Sequence, residues 1–129
     1  MSALAVGIGC ASGASAAEIV ALVRDCFAGL DATGARIFTP SRKADHAGLR
    51  AAAQALGLPL IALNDAEFLA RQDEFCARGA SPSAHAKAAT GFASVAEAAA
   101  LMGGGATAVL IVEKRAAGHV TCAIAGEKP

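Results

Sequence analysis

Apolar residues along this chain fall into two patterns that alternate from one end to the other. Short unbroken apolar runs bounded by turn residues predict buried strands at Ala3–Ile8, Ala35–Thr39, Leu60–Leu63, Thr107–Val112 and Val120–Ala125. Between the runs, apolar residues recur at helical spacing after a capping residue, which predicts helices that begin near Ser15, Asp45, Asn64, Ser81 and Ser94. This alternation predicts an α/β fold: a single three-layer domain over residues 1–129, with a mostly parallel sheet and a C-terminal antiparallel hairpin.

Local signals set the predicted helix boundaries. A glutamate three residues after the cap predicts capping boxes in Ser15/Glu18, Asn64/Glu67 and Ser94/Glu97. Ser81-Pro82 is typical of an N-cap followed by a first-turn proline. The second, fourth and fifth helices are predicted to end at Gly57, Gly91 and Gly103. The segment Glu113–His119 is predicted to be the hairpin link.

Composition narrows the classes of function. The chain has 129 residues, of which 55% are hydrophobic and 17% are charged, so it can bury a core without disulfides or metal. Its formal net charge is zero, and it has no Trp or Tyr on which bases could stack, so we expect neither a nucleic-acid nor a membrane-surface partner. No apolar run is long enough for a signal peptide or a membrane span, which predicts a soluble, cytoplasmic protein.

The cysteines and histidines argue against a metal site. Cys10, Cys26, Cys76 and Cys122 lack CxxC spacing, and His46, His85 and His119 share no spacing either. We therefore expect no bound metal, and reduced thiols. Cys26 and Cys122 fall on apolar faces and are predicted to be core residues.

A glycine-rich turn between the first strand and the first helix is the main candidate site. Gly7, Gly9 and Gly13 surround this turn, where exposed N–H groups and the helix dipole favour an anion, and Ser12 and Ser15 add hydroxyl groups. The GxGxxxG spacing matches neither the dinucleotide fingerprint nor the phosphate-binding P-loop. The alternative is that the glycines only make a tight turn and allow a helix to pack on the sheet.

Cys10 occupies a position in this turn that could activate a thiol. A helix N-terminus lowers the pKa of a nearby thiol, so Cys10 is a conceivable nucleophile. No base lies next to it in the sequence, however, so the favoured interpretation is a small residue in a crowded turn.

Four stretches in the same order resemble the CobE/CbiG C-terminal family of cobalamin-biosynthesis proteins. They are Gly7-Ile8-Gly9-Cys10-Ala11-Ser12-Gly13-Ala14-Ser15, Lys43-Ala44-Asp45, Ser94-Val95-Ala96-Glu97-Ala98-Ala99-Ala100-Leu101, and Lys114 with Val120-Thr121-Cys122-Ala123-Ile124-Ala125. The resemblance runs from Gly7 to about Ala125. The length of this chain is similar to that of the stand-alone members of the family. CbiG, in contrast, carries additional N-terminal domains.

The resemblance implies a ligand: a corrinoid, that is, a precorrin-type tetrapyrrole intermediate bearing many carboxylates. The substrate-binding residues that it implies, together with the glycine turn, are Gly9, Cys10, Ser12, Gly13, Ser15, Lys43 and Lys114. Where the family has basic residues after the cysteine, this chain has Ala11 and Ser12. Binding of carboxylates would then fall to basic residues elsewhere, for which the candidates are Arg42, Lys43, Lys114 and Arg115.

Three functions remain open at this point. The first is binding, or handing on, of a precorrin in the aerobic pathway, with other corrin-pathway enzymes as partners and no cofactor. The second is catalysis on the corrin ring, such as hydrolytic lactone opening, although the sequence shows no clear pair of base and nucleophile. The third is an NADP-binding module, in which Arg42 would lie near the 2′-phosphate.

Overall fold

The structure, a computed structural model that describes residues 3–81 and 94–127, contains one five-stranded sheet with helices on both faces. The strands are β1 Ala5–Cys10, β2 Arg36–Pro40, β3 Leu60–Leu63, β4 Ala108–Ala117 and β5 Val120–Glu127. The helices are α1 Ala16–Cys26, α2 Ala47–Leu56, α3 Asp65–Ala70, α4 Gln72–Ala77 and α5 Val95–Gly104. A short 3-10 turn, Ser41–Lys43, follows β2.

The sheet has the strand order β3-β2-β1-β5-β4. β1 pairs in parallel with β2, and β2 with β3, whereas β5 is antiparallel to both β1 and β4. Four strands therefore point the same way and β5 alone is reversed. The predicted α/β fold, with a mostly parallel sheet and a C-terminal hairpin, is confirmed.

The two faces of β1 contact different helices, because successive side chains of a strand point to opposite sides. Val6 and Ile8 pack in an apolar cluster with residues of α1 and α2. Ala5 belongs to a second cluster, on the opposite face, with residues of α3, α4 and α5. The predicted three layers are therefore present. Cys26 and Cys122 lie in the first cluster, 2% and 0% exposed, which confirms that they are core residues.

The closing hairpin is tighter than the sequence predicted. β4 continues to Ala117 and β5 starts at Val120, so the link is Gly118 and His119 alone. Gly118 has a φ of 58°, a left-handed conformation that glycine adopts at little cost and that suits a two-residue turn. The charged residues Glu113, Lys114 and Arg115 interrupt the apolar pattern, which predicts a link here, but β4 is an edge strand and tolerates them.

One predicted cap and one predicted capping box are wrong. Asp45 does not cap α2; His46 does, through an Nδ1 that accepts the Leu49 N–H at 3.2 Å. α5 begins directly after Ser94, as predicted, but the Ser94 side chain makes no capping bond, and the Glu97 carboxylate binds the Ser81 N–H and not the Ser94 backbone. The Ser15/Glu18 box is confirmed, with both reciprocal bonds present.

Other boundaries differ by small amounts. The Asn64 side chain caps α3 as predicted. The helix is interrupted at Arg71, and α4 begins at the next residue. α5 ends at Gly104, one residue beyond the prediction. α2 ends before Gly57 as predicted, and Gly57 has a left-handed φ of 69°. The helix predicted from Ser81-Pro82 to Gly91 lies outside the described residues. No helix in the described ranges has the length and apolar character that crossing a membrane requires.

Candidate functional site

Two of the glycines around the first turn serve packing. A Cβ on Gly7 would overlap the backbone of α5 at Ala96 and Ala100, so this glycine lets the helix lie directly on β1. A Cβ on Gly9 would stand 2.7 Å from the Thr121 Oγ1. For Gly7 and Gly9 the packing interpretation therefore holds, although the helix concerned is α5 and not α1.

Gly13 is different. A Cβ built on it meets nothing within 4 Å, and its backbone is not in the left-handed region. Every other glycine within residues 3–81 and 94–127 either has a positive φ or would bring a Cβ against a neighbour. Folding therefore does not require glycine at position 13, whereas close approach of a ligand to the backbone would.

The hydrogen bonds of the turn leave two donors unused. The Ala14 N–H donates to the Ala11 carbonyl at 3.0 Å, and the Ala11 N–H donates to the carbonyl of His119 at 2.9 Å. Within the described part of the chain, the N–H groups of Ser12 and Gly13 have no hydrogen-bond partner. Both residues are exposed, so these donors are open to a ligand.

Ser15 is placed to serve both helix and ligand. Its Oγ accepts the Glu18 N–H at 3.1 Å, which leaves the hydroxyl proton available for donation. The Glu18 carboxylate accepts the Ser15 N–H at 3.0 Å and the His119 N–H at 3.3 Å. These two bonds hold the pKa of Glu18 below its ordinary value, and the bond from Ser15 has the larger effect. This carboxylate therefore stays charged beside the turn.

Cys10 ends β1 beside the turn, but its thiol is not activated. Burial raises its pKa, and the positive charge of Lys43 offsets this only in part. The expectation that the helix N-terminus would lower this pKa is therefore wrong. A thiol that stays protonated supports the interpretation of Cys10 as a small packing residue.

Two of the four candidate cations are unpaired. Arg42 lies 3.7 Å from the Asp65 carboxylate and Arg115 lies 3.0 Å from that of Asp25. Lys43 and Lys114 form no ion pair with any described residue, so their charges remain available to an anion.

The two lysines lie at different distances from the turn. Lys43 ends the 3-10 turn after β2, near enough for its charge to act on the Cys10 thiol. Arg115 pairs with Cys122, which pairs with Ile8, so the preceding residue, Lys114, lies level with about Gly7, in the middle of β1. It is two strands away, about 10 Å across the sheet, and about three residues short of the end of β1. Lys43 is therefore the lysine next to the turn, whereas Lys114 lies farther away on the other side of β1.

Glu97 is a functional candidate that the sequence prediction missed. It is 1% exposed, and its carboxylate accepts the Ser81 N–H at 2.7 Å, the Ser81 hydroxyl, and the Lys114 N–H at 3.1 Å. It thereby joins the start of α5 to the strand that carries Lys114. Only tertiary structure brings these donors together, so the sequence offered no signal beyond a capping spacing that the carboxylate does not use.

Replacing Glu97 by glutamine should lower the free energy of unfolding by about 1–3 kcal/mol. Both carboxylate oxygens accept a backbone N–H, and the glutamine NH2 group cannot accept one, so one of these N–H groups would lose its partner. Urea unfolding followed by circular dichroism measures this. The matched control is Glu67→Gln, on an exposed side chain of α3, which should change stability by no more than about 0.5 kcal/mol. Equal stability of both variants would contradict the anchoring role of Glu97.

His46 is the second residue that was missed. Its Nε2 lies 3.1 Å from the Ala11 carbonyl oxygen and 3.2 Å from that of Ser12, so the imidazole of α2 contacts the glycine turn. Gly48 assists, since a Cβ there would stand 2.6 Å from the Ala14 carbonyl oxygen. In the sequence, the signal for this contact is the His46-Ala47-Gly48 triplet at the start of α2.

A groove of about 360 Å³ lies beside the turn, between α1 and the hairpin. Its lining includes the carboxylates of Glu18 and Asp25, which would repel a polycarboxylate. Among the described residues, no cluster of His, Cys, Asp and Glu could hold a metal ion. Ser12 and Gly13 lie outside this lining and have Lys43 near them, so the open turn is the better candidate for an anionic ligand.

Comparisons with known proteins show the family to which this chain belongs. The family described as "Cobalamin synthesis G C-terminus" matches residues 4–125. The chain is 37% identical to Protein CobE of Sinorhizobium sp. over 126 residues, covering 95% of this chain and 79% of that protein.

Two solved structures are similar throughout. The cobalamin biosynthesis protein chiG from Agrobacterium tumefaciens str. C58 has a TM-score of 0.76 and 34% identity, covering 98% of this chain and 99% of that one. The crystal structure of CobE, a protein from the cobalamin (vitamin B12) biosynthetic pathway, has a TM-score of 0.74 and 35% identity, covering 95% and 89%. The chain therefore belongs to the CobE/CbiG C-terminal family of cobalamin biosynthesis proteins.

Proposed function

We propose that this cobalamin biosynthesis protein binds, and hands on, a precorrin or corrinoid intermediate through the carboxylates of that ligand. The observation that carries this proposal is the open turn at Gly13, with its two unused N–H donors and with Lys43 nearby, which forms no ion pair with any described residue. The family supplies the ligand class, since its members belong to cobalamin biosynthesis.

A ligand with several carboxylates suits this spacing better than one with a single anionic group. The turn can accept one carboxylate on backbone N–H groups and the dipole of α1. Lys43 lies near the turn and Lys114 lies on the other side of β1, level with about Gly7, so a ligand that engages the turn and both lysines must carry anionic groups some distance apart. A corrinoid carries its carboxylates around the ring edge and meets that condition.

Gel filtration with pigment detection tests the proposal. The purified protein is mixed with hydrogenobyrinic acid, a metal-free corrinoid, and passed through a desalting column while the visible spectrum of the protein fraction is recorded. Co-elution of unchanged pigment is the expected result. A colourless protein fraction, with the pigment recovered unaltered, would overturn the proposal for the isolated chain.

Replacing Lys43 or Lys114 by alanine should each weaken hydrogenobyrinic acid binding by about tenfold, because each change removes a charge-assisted hydrogen bond. Fluorescence or absorbance titration measures the dissociation constant. Arg24→Ala is the control, since it removes an exposed positive charge in the last turn of α1, away from the candidate site. If all three variants bind equally well, neither lysine contacts the ligand.

Catalysis on the corrin ring is the second candidate, and one observation favours it. The His119 Nδ1 lies 3.3 Å from the Glu18 carboxylate, an arrangement that orients an imidazole as a base beside the turn. No nucleophile within the described residues hydrogen-bonds to His119. A changed pigment spectrum with the wild type, lost in His119→Ala, would favour this candidate over binding alone.

The NADP hypothesis depends on Arg42, which is engaged with Asp65 through both its side chain and its backbone N–H. Titration with NADPH keeps this alternative testable. Absence of binding at millimolar ligand would exclude it.

A further inference from the structure

Both ring nitrogens of His46 are in use, and this fixes the ring. Nδ1 accepts the backbone N–H of Leu49, so it carries a lone pair and no proton. The proton of the neutral ring is then on Nε2, which faces the carbonyl oxygens of Ala11 and Ser12. His46 therefore caps α2 with one nitrogen and donates to the glycine turn with the other.

These carbonyls determine where the unused donors point. In a planar trans peptide the C=O and the N–H point in opposite directions. The Ala11 carbonyl shares its peptide with the Ser12 N–H, and the Ser12 carbonyl shares its peptide with the Gly13 N–H. Because both carbonyls face the imidazole, both N–H groups point away from it, so two consecutive donors face away from α2.

We infer that His46 is a positioning residue for carboxylate binding, which holds the N–H groups of Ser12 and Gly13 toward the ligand. This inference rests on the proposed function, since it names the device that orients one part of that site. The open space at Gly13 supports it independently, because a ligand atom can reach these donors. So does Gly48, whose missing side chain lets α2 start against the turn.

His46→Asn separates this role from helix capping. Asparagine is a good N-cap, because its side-chain oxygen accepts a backbone N–H of the first turn, but it is too short to reach the carbonyls of Ala11 and Ser12. We expect stability close to that of the wild type and a dissociation constant for hydrogenobyrinic acid raised by about tenfold. The control is Asn64→Ala, which removes the cap of α3, so it should lower stability and leave affinity unchanged.

Amide NMR spectra supply a readout that a merely structural role would not move. On addition of hydrogenobyrinic acid, the Ser12 and Gly13 N–H signals should shift in the wild type, and these shifts should shrink in His46→Asn while the rest of the spectrum stays native.

The outcomes separate the two proposals. If the wild type does not bind, the proposed function fails. If the wild type binds and folded His46→Asn binds with the same affinity and the same Ser12 and Gly13 shifts, the positioning role fails while the proposed function stands. If His46→Asn is destabilised as much as Asn64→Ala and the two variants weaken binding equally, lost stability explains both results and the inference is overturned.

Discussion

Replacing Gly7 by alanine should lower the free energy of unfolding by about 3 kcal/mol, whereas the same change at Gly13 should alter it by no more than about 0.5 kcal/mol. The added methyl group at position 7 would overlap the backbone of α5 at Ala96 and Ala100, which no rotamer change can relieve. Helix and strand must separate to admit it, and that opens the core between them. At position 13 the same methyl group meets nothing.

Chemical denaturation of the two variants alongside the wild type measures this contrast. The substitutions are identical and lie six residues apart, so differences in intrinsic propensity are small compared with the packing effect. Equal stability of the two variants would mean that α5 does not lie on β1 as described. Marked loss of stability in Gly13→Ala would mean that the turn needs glycine for its own folding.

Gly13→Asp should weaken hydrogenobyrinic acid binding by at least about tenfold, through repulsion between two carboxylates close to each other at a partly solvated surface. The aspartate would also compete for the N–H groups that the ligand uses. Because a Cβ fits at this position without contact, the variant should fold normally.

Gly13→Asn is the matched control, since asparagine has the shape of aspartate without its charge. Titration of both variants with hydrogenobyrinic acid distinguishes steric from electrostatic exclusion of the ligand. The affinity of the asparagine variant should lie between those of the wild type and the aspartate variant. Increasing ionic strength should narrow the gap between the two variants. Wild-type affinity in Gly13→Asp would remove the turn from the binding site.

The fold was predictable because its signals are local. Apolar runs marked all five strands, and Ser15, Asn64 and Gly57 marked helix boundaries through bonds made within a few residues. The capping box at Ser94 was wrongly predicted because distant partners decided the outcome. The Glu97 side chain has the spacing of a capping box, but its carboxylate accepts from Ser81 and Lys114, each at least 16 residues away along the chain.

The candidate site was predictable only in part, for the same reason. The glycine spacing and the family motifs pointed to the turn, and Lys43 and Lys114 were named with it. The sequence could not separate Gly7, which serves packing, from Gly13, which has open space, because both are simply glycine. His46 was given no role, since its two partners in the turn lie about 35 residues away along the chain.

The reversed strand β5 has a consequence for biosynthesis of the chain on the ribosome. β5 pairs with all six residues of β1, joining Gly9 to Thr121 across almost the whole sequence. Until residues 120–127 have been synthesised, β1 has an unpaired edge, and β4 lacks the strand that connects it to the sheet. Closure between such distant segments is slow, so the nascent chain stays open to aggregation until β5 emerges. Premature termination before β5 would therefore remove an interior strand and yield a product that cannot complete its sheet.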